Sequence, residues 1–316
     1  MKQKIFLYTF LIIGSFACKR STNSFPQKEY VVQAFDTIVK YSLHKNTFNF
    51  DSLENEVLTH IFDTTPQTEV YNILENALTI IDKHSFIIRK EKWQQMYEGR
   101  NPEVLSNPYP FQGKMLEDKY AFVSLDGFSG GDSLAAKNYS DSLQKLISLL
   151  YIEEPDGWII DLRYNSGGWS PPMISGLGPI LGLGIKAYSI SINRDTTEHY
   201  YAKNDTEYIK LIDSVWTFQK QLPIAVLIGE NTGSAGELLT LAFRGNPKTQ
   251  LIGQPTYGVS TDLMPILMPD SLQLNITSAV MVDRNKKGSG GAIVPDILSK
   301  DPLDSFQKAY EWIDNN

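Results

Sequence analysis

Apolar residues recur at spacings of three and four through "EYVVQAFDTIVKYSL", "DSLENEVLTHIF" and "PQTEVYNILENALTIIDKH", a pattern that predicts three amphipathic helices. Together they outline a small helical subdomain over residues 29–85. The next stretch, "RKEKWQQMYEGRNPEVLSNPYPFQGKMLEDK", keeps no sustained period and reads as a linker or flap over 86–117. From 118 to 316 the pattern changes. "YAFVSL", "GWIIDLRY", "LPIAVLIG", "TQLIGQ" and "SLQLNITSAVMV" read as strands, and "DSLAAKNYSDSLQKLISLLY" and "GELLTLAFRG" as helices between them. The unbroken apolar runs mark strands buried on both faces. Such alternation predicts an α/β core with a mainly parallel, helix-flanked sheet rather than an all-β sandwich.

Bulk properties narrow the function. A chain of 316 residues can bury a substantial core, and a formal net charge of −7 leaves no basic footprint for nucleic acid. No phosphate-cradling glycine motif is present, and no grouping of histidine, cysteine and carboxylates has metal-ligand spacing, so neither a metal nor an organic cofactor is expected.

The opening "MKQKIFLYTFLIIGSFACKRS" has Lys2 and Lys4, then an apolar run too short to span a bilayer, then small residues before Cys18. This is the form of a secretory signal over residues 1–18. The "SFAC" box resembles a bacterial lipoprotein signal, which implies that Cys18 becomes the lipid-modified first residue. Residues 19–28, "KRSTNSFPQK", then form a polar linker to the fold. The expected product is a bacterial cell-envelope protein held to the membrane by its N-terminal lipid. Cys18 is the single cysteine, so no internal disulfide is available and core packing must supply the stability.

Two glycine-rich turns follow buried strands, at the carboxyl ends where ligands gather in sheets of this type. One is "NTGSAGE", which sets Ser234 between a strand and a helix; the other is "RYNSGGWSPP". Ser234 fits an N-cap, whose oxygen accepts from a free N–H of the following helix. It fits a nucleophile equally well. If the two strands are neighbours, the backbone N–H groups of Gly167, Gly168 and Ala235 are candidates for an oxyanion hole facing Ser234. The helix N-terminus would add its dipole.

"GWIIDLRYNSGG", "NTGSAGE", "IGQPTYGVS" and "GAIVPDI", in that order, resemble the carboxyl-terminal-processing (tail-specific) serine peptidase family, which includes the tricorn core. "IIDKHSF" after a helical region also matches its N-terminal pattern. The resemblance implies a ClpP/crotonase-like core, peptide or protein substrates, Ser234 as nucleophile, and Ala235 with the Gly167–Gly168 turn as oxyanion donors. Two positions depart from the family. The lysine that many members use as base is replaced by Val259, and valine cannot accept a proton. The tricorn-like branch uses a histidine instead, which falls here on His84, whose ordinary pKa near 6.5 suits a base. The glutamate that lysine-free members often carry before the "PD" turn is replaced by Ser289, leaving Asp82 or Ser85 to orient the histidine. About thirty residues separate Phe86 from Tyr120, too few for the peptide-binding PDZ domain of many relatives.

The other motif residues have structural readings. Asp161 and Arg163 are expected to form a buried pair that shapes the Gly167–Gly168 turn, Glu237 to complete a capping box, and Asp296 to shape a turn. Trp169 and Tyr257 are candidates for the cleft wall. His44, His60 and His199 lie outside the motifs and are expected at the surface. The resulting expectation is a lipid-anchored serine peptidase working through an acyl-enzyme on Ser234 with His84 as base. A catalytically inactive relative that binds peptides or apolar ligands, and an esterase, are the alternatives.

Overall fold

The computed structural model describes residues 26–92, 111–129, 133–201 and 211–316. The expected signal, Cys18 and most of the expected 19–28 linker lie outside them. Three helices open the fold: α1 (Gln27–Tyr41), α2 (Phe50–Thr59) and α3 (Gln67–Ile81). In α1 the residues Tyr30, Val31, Ala34, Phe35 and Ile38 share one buried face, as their spacing predicts.

The strands β2 (Phe111–Leu116), β3 (Tyr120–Leu125), β4 (Gly157–Asp161), β7 (Ile224–Ile228), β8 (Thr249–Gly253) and β11 (Ile297–Leu298) form one sheet in the order β11-β8-β7-β4-β3-β2. All its neighbours run parallel except β2 and β3. Helices α4 (Ser133–Ile152), α5 (Ser170–Leu181) and α6 (Ala235–Phe243) belong to the same core cluster as Trp158, Ile160, Ile224, Val226 and Ile228. Ile159, Ala225 and Leu227 point the other way and meet Ala309 and Ile313 of α7 (Pro302–Asp314). Successive strand residues face opposite layers, and both layers are apolar, which is why these strands read as continuous apolar runs.

A second, antiparallel sheet went unpredicted. It has the order β1-β10-β5-β6, with β9 also on β10, and uses β1 (Phe86–Ile88), β5 (Gly184–Ser191), β6 (Thr196–Tyr201), β9 (Thr261–Leu267) and β10 (Gln273–Asp283). Its β10 joins the two halves of the molecule. Leu274 and Ile276 close the core of the three helices, together with Met268 and Leu272 of the β9–β10 turn, while Met281 belongs to the core of the parallel sheet. The helices are also tied by charge: Asp270 in that turn accepts from Tyr30 Oη at 3.0 Å and Tyr71 Oη at 2.6 Å. Residues 29–85 therefore finish their core on the strands. Two strands, β1 and β2, fall inside the stretch expected as a linker or flap over 86–117, because three residues, or six with a central glycine, are too few for a period to register.

Candidate active site

Ser234 stands where β7 gives way to α6, with φ of 51° and ψ of −117°. A positive φ costs a residue with a Cβ about 1–3 kcal/mol unless its surroundings impose it. Here they do. Gly233 N donates to Asn165 O at 2.9 Å, and Ser234 N donates to Glu237 Oε2 at 3.0 Å. The turn before it is closed by Thr232, whose hydroxyl donates to Leu162 O at 2.8 Å. Ser234 and Glu237 form the expected capping box, and Glu237 N also donates to the carbonyl of Ser234 at 2.9 Å. The Ser234 side chain ends in the hydroxyl that faces His84.

That hydroxyl lies 3.0 Å from His84 Nε2. His84 comes from the turn between α3 and β1, 150 residues earlier in the chain. Its Nδ1 lies 2.8 Å from Thr261 Oγ1 on β9. When Ser234 donates to Nε2, Nδ1 carries the ring proton and donates to the threonine, which fixes tautomer and ring plane. Burial pushes the imidazole below its ordinary value. The charges of Asp82 and Asp262 oppose that shift and Lys83 adds to it, with burial dominant. His84 is accordingly neutral near pH 7, the state a general base requires.

Among the described residues no carboxylate hydrogen-bonds the ring. Of the two residues expected to orient it, Asp82 accepts from the His84 backbone N–H at 2.8 Å, and Ser85 donates to Thr277 Oγ1 at 3.1 Å. Thr261 holds the ring instead. No sequence signal pointed to it, since a threonine at the start of a strand is ordinary.

The two glycine turns do meet, because β4 and β7 are neighbours. The expectation for Gly167 as an oxyanion donor is corrected: its N–H is already held by Asn165 Oδ1 at 3.1 Å. Its role is steric. A Cβ on Gly167 would stand 2.7 Å from Ser234 Cβ and 3.1 Å from Ala235 N, at a φ of +112°. The amides of Gly168, which is exposed, and of Ala235, at the head of α6, have no protein acceptor among the described residues. They are the two left of the three expected donors, and Ala235 directly follows Ser234 in the chain.

Glu237 does far more than cap. Its fully buried carboxylate accepts from Ser234 N, Thr256 Oγ1, Gly258 N and Val259 N at 3.0, 2.5, 2.9 and 2.9 Å. It thus ties the "PTYGVS" turn to the serine turn. Burial pushes its carboxyl above the usual range, and the four hydrogen bonds hold it back. Val259 is buried and donates its backbone N–H to this carboxylate. A cation nevertheless lies on the turn: Lys83 Nζ donates to Tyr257 O at 2.9 Å and sits 4.5 Å from that ring's centroid.

The other candidates separate cleanly. Ser289 is exposed and its Oγ accepts only a long 3.4 Å bond from Gly291 N. Asp296 exchanges bonds with the Leu251 backbone, as a turn residue should. Asp161 and Arg163 pair at 2.9 and 2.6 Å, but the guanidinium lies over Phe306, so the pair secures β4 to α7 rather than shaping the glycine turn. Trp169 is half-buried against Phe128, and Tyr257 is 56% exposed at the turn. Of the three histidines expected at the surface, His60 is exposed. His199 is buried with Nε2 2.8 Å from Ser189 Oγ, and His44 is half-buried against Asp82. Ser189 lies on the neighbouring strand β5, and Asp82 lies at the C-terminal end of α3. Among the described residues no group of histidine, cysteine and carboxylates could hold a metal, and no helix is long and apolar enough to cross a membrane.

Comparison with known proteins places this geometry in context. The model of peptidase family S41 matches residues 119–299. The nisin-resistance protein of Lactococcus lactis is 29% identical over 297 residues, covering 91% of this chain and 87% of its own. The carboxyl-terminal-processing protease of Picosynechococcus is 24% identical over 59% of this chain but only 41% of its own. Among solved structures, a lipoprotein from Streptococcus agalactiae shares the fold with a TM-score of 0.77 at 21% identity, over 96% of this chain and 99% of its own. The photosystem II D1 C-terminal processing protease does so with a TM-score of 0.60 at 12% identity, over 87% and 93%.

Proposed function

The chain belongs to peptidase family S41, and from that premise we propose that it cleaves peptides through an acyl-enzyme on Ser234 with His84 as general base. The observation that carries the reading is the 3.0 Å contact between Ser234 Oγ and His84 Nε2 at a strained strand-to-helix turn. As Ser234 Oγ attacks the substrate carbonyl, its proton passes to Nε2 and Thr261 steadies the imidazolium that forms. The carbonyl oxygen becomes an oxyanion between the amides of Gly168 and Ala235, donors typically worth about 3 kcal/mol each. Collapse breaks the C–N bond, Nε2 returns the proton to the leaving amine, and water repeats the sequence on the ester. Val259 is no obstacle to this route, because the histidine rather than a lysine takes the proton.

Nisin-resistance protein of Lactococcus lactis matches nearly end to end, so nisin is the first peptide to offer, and its cleavage, near the carboxyl end or elsewhere, the first activity to assay. We also place the protein in the bacterial envelope, tethered by lipid at Cys18; a Cys18→Ala chain that stayed in the membrane fraction would count against the tether. The decisive test is labelling with a fluorophosphonate probe in the wild type, Ser234→Ala and His84→Ala proteins. Labelling that requires both residues supports an activated serine. A folded wild type that never labels points instead to a cleft that binds peptides without cutting them, with Val259 as the mark of the lost base.

A further inference from the structure

Asp82 occupies an electrostatically poor place. It is the C-cap of α3, where the helix dipole favours a cation and a carboxylate is disfavoured by about 0.3–1 kcal/mol. Three donors surround it. Oδ1 accepts from His84 N at 2.8 Å and Thr277 Oγ1 at 2.7 Å, and Oδ2 meets His44 Nε2 at 2.8 Å. These donors come from three separate segments. His44 lies in the loop between α1 and α2, His84 follows α3, and Thr277 is where β10 breaks register with β9. Thr277 also accepts from Leu43 N at 2.8 Å through its carbonyl and donates its N–H to Ser85 Oγ at 3.0 Å. Bulges beside active sites commonly re-aim side chains, and this one turns a threonine onto the carboxylate.

We infer that Asp82 is a positioning residue for His84, acting on its backbone and through its charge rather than on its ring, and that His44 couples the helical region to the catalytic histidine through it. The inference rests on the serine–histidine reading above. The physical reason is tolerance. A misplacement of about 1 Å in a reacting group can cost on the order of 100-fold in rate, and His84 sits on a short turn that no ladder holds. A charge-assisted bond to its backbone N–H is roughly twice as strong as a neutral one. The charged groups facing the imidazole are Asp82 on its own turn, Lys83 beside it and Asp262 on β9, with Ser234 and Thr261 as hydrogen-bond partners. Of these, Asp82 raises the imidazole's affinity for a proton most. Its removal should therefore lower that affinity further.

The test measures fluorophosphonate labelling rate against pH for the full chain in detergent, comparing wild type with Asp82→Ala, Asp82→Asn and His44→Ala, each checked for a cooperative melt. Asp82→Ala is expected to label about 100-fold more slowly. Asp82→Asn keeps an acceptor for His84 N–H, so its plateau rate should return to within about fivefold of wild type. Its acid limb should move to lower pH, because only the charge is gone. His44→Ala, which removes the donor to Oδ2, is expected to label about fivefold more slowly, and a rate equal to wild type would remove the coupling. Folded Asp82 variants that match wild type in rate and limb would overturn the inference, and so would variants that lose rate alike with no movement of the limb, the mark of a purely structural aspartate. Wild type that labels while these outcomes occur isolates the failure to Asp82; wild type that never labels removes the serine–histidine reading and this inference with it.

Discussion

Replacing Glu237 by glutamine would change one atom and leave the shape intact, yet the surroundings forbid it. All four partners of the carboxylate are donors: Thr256 Oγ1 and Gly258 N on Oε1, Ser234 N and Val259 N on Oε2. A glutamine must turn its NH2 toward one pair. Facing the Oε1 pair, the Thr256 hydroxyl can rotate and accept, but Gly258 N–H cannot. Facing the other, two backbone donors are orphaned. The cheaper choice strands the half-buried Gly258 N–H, at about 1–3 kcal/mol, and weakens the surviving charge-assisted bonds by about 1 kcal/mol each. A loss of roughly 3–5 kcal/mol follows, enough to lower the melting midpoint by about 5 °C or more. The serine turn should also relax, because Ser234 N–H is one of the four. Differential scanning calorimetry with fluorophosphonate labelling on the same samples checks both consequences. A Glu237→Gln protein with the wild-type midpoint and labelling rate would refute the reasoning, since no orientation of the amide satisfies the four donors.

Gly167→Ala places a Cβ 2.7 Å from that of Ser234 at a φ of +112°, so labelling should fall by about 100-fold or more while the fold survives; an unchanged rate would mean that the turn yields freely. The rate of labelling against pH should show its acid limb below about pH 6.5, because burial lowers the affinity of His84 for a proton, and a limb at pH 7 or above would contradict that environment. His84 and His199 are both held below their ordinary values by burial. The unfolded chain therefore binds more protons below about pH 6.5, and the stability these neutral rings contribute above that pH should be lost as pH falls through their folded values. Denaturant titrations at pH 7.5, 6.5 and 5.5 measure it, and a flat series would sink the claim. Phe35→Ala in the fully buried face of α1 should cost about 3–5 kcal/mol in the same titrations, with a loss under 1 kcal/mol arguing against a tightly packed helical core.

Local pattern alone determined much of this protein. Periods of three and four placed α1 to α3, apolar runs placed β4 and β7 as strands buried on both faces, and glycine turns marked Ser234 and Gly168 at their ends. These are readable because backbone geometry repeats over a few residues, so neighbours in sequence report their own environment. The match of "DKHSF" to a known pattern also singled out His84. What the tertiary structure decided was who meets whom. Thr261 as the partner of the imidazole, Asn165 as the acceptor that withdraws Gly167 from the oxyanion site, and Asp82 turned toward His44 and Thr277 all involve side chains whose types are common in loops. Likewise Glu237 looked like a helix cap until the "PTYGVS" turn folded onto it. A hydrogen bond is short-ranged and directional, and its partners here arrive from strands and loops up to 195 residues apart, so only the packed chain brings their orbitals into line.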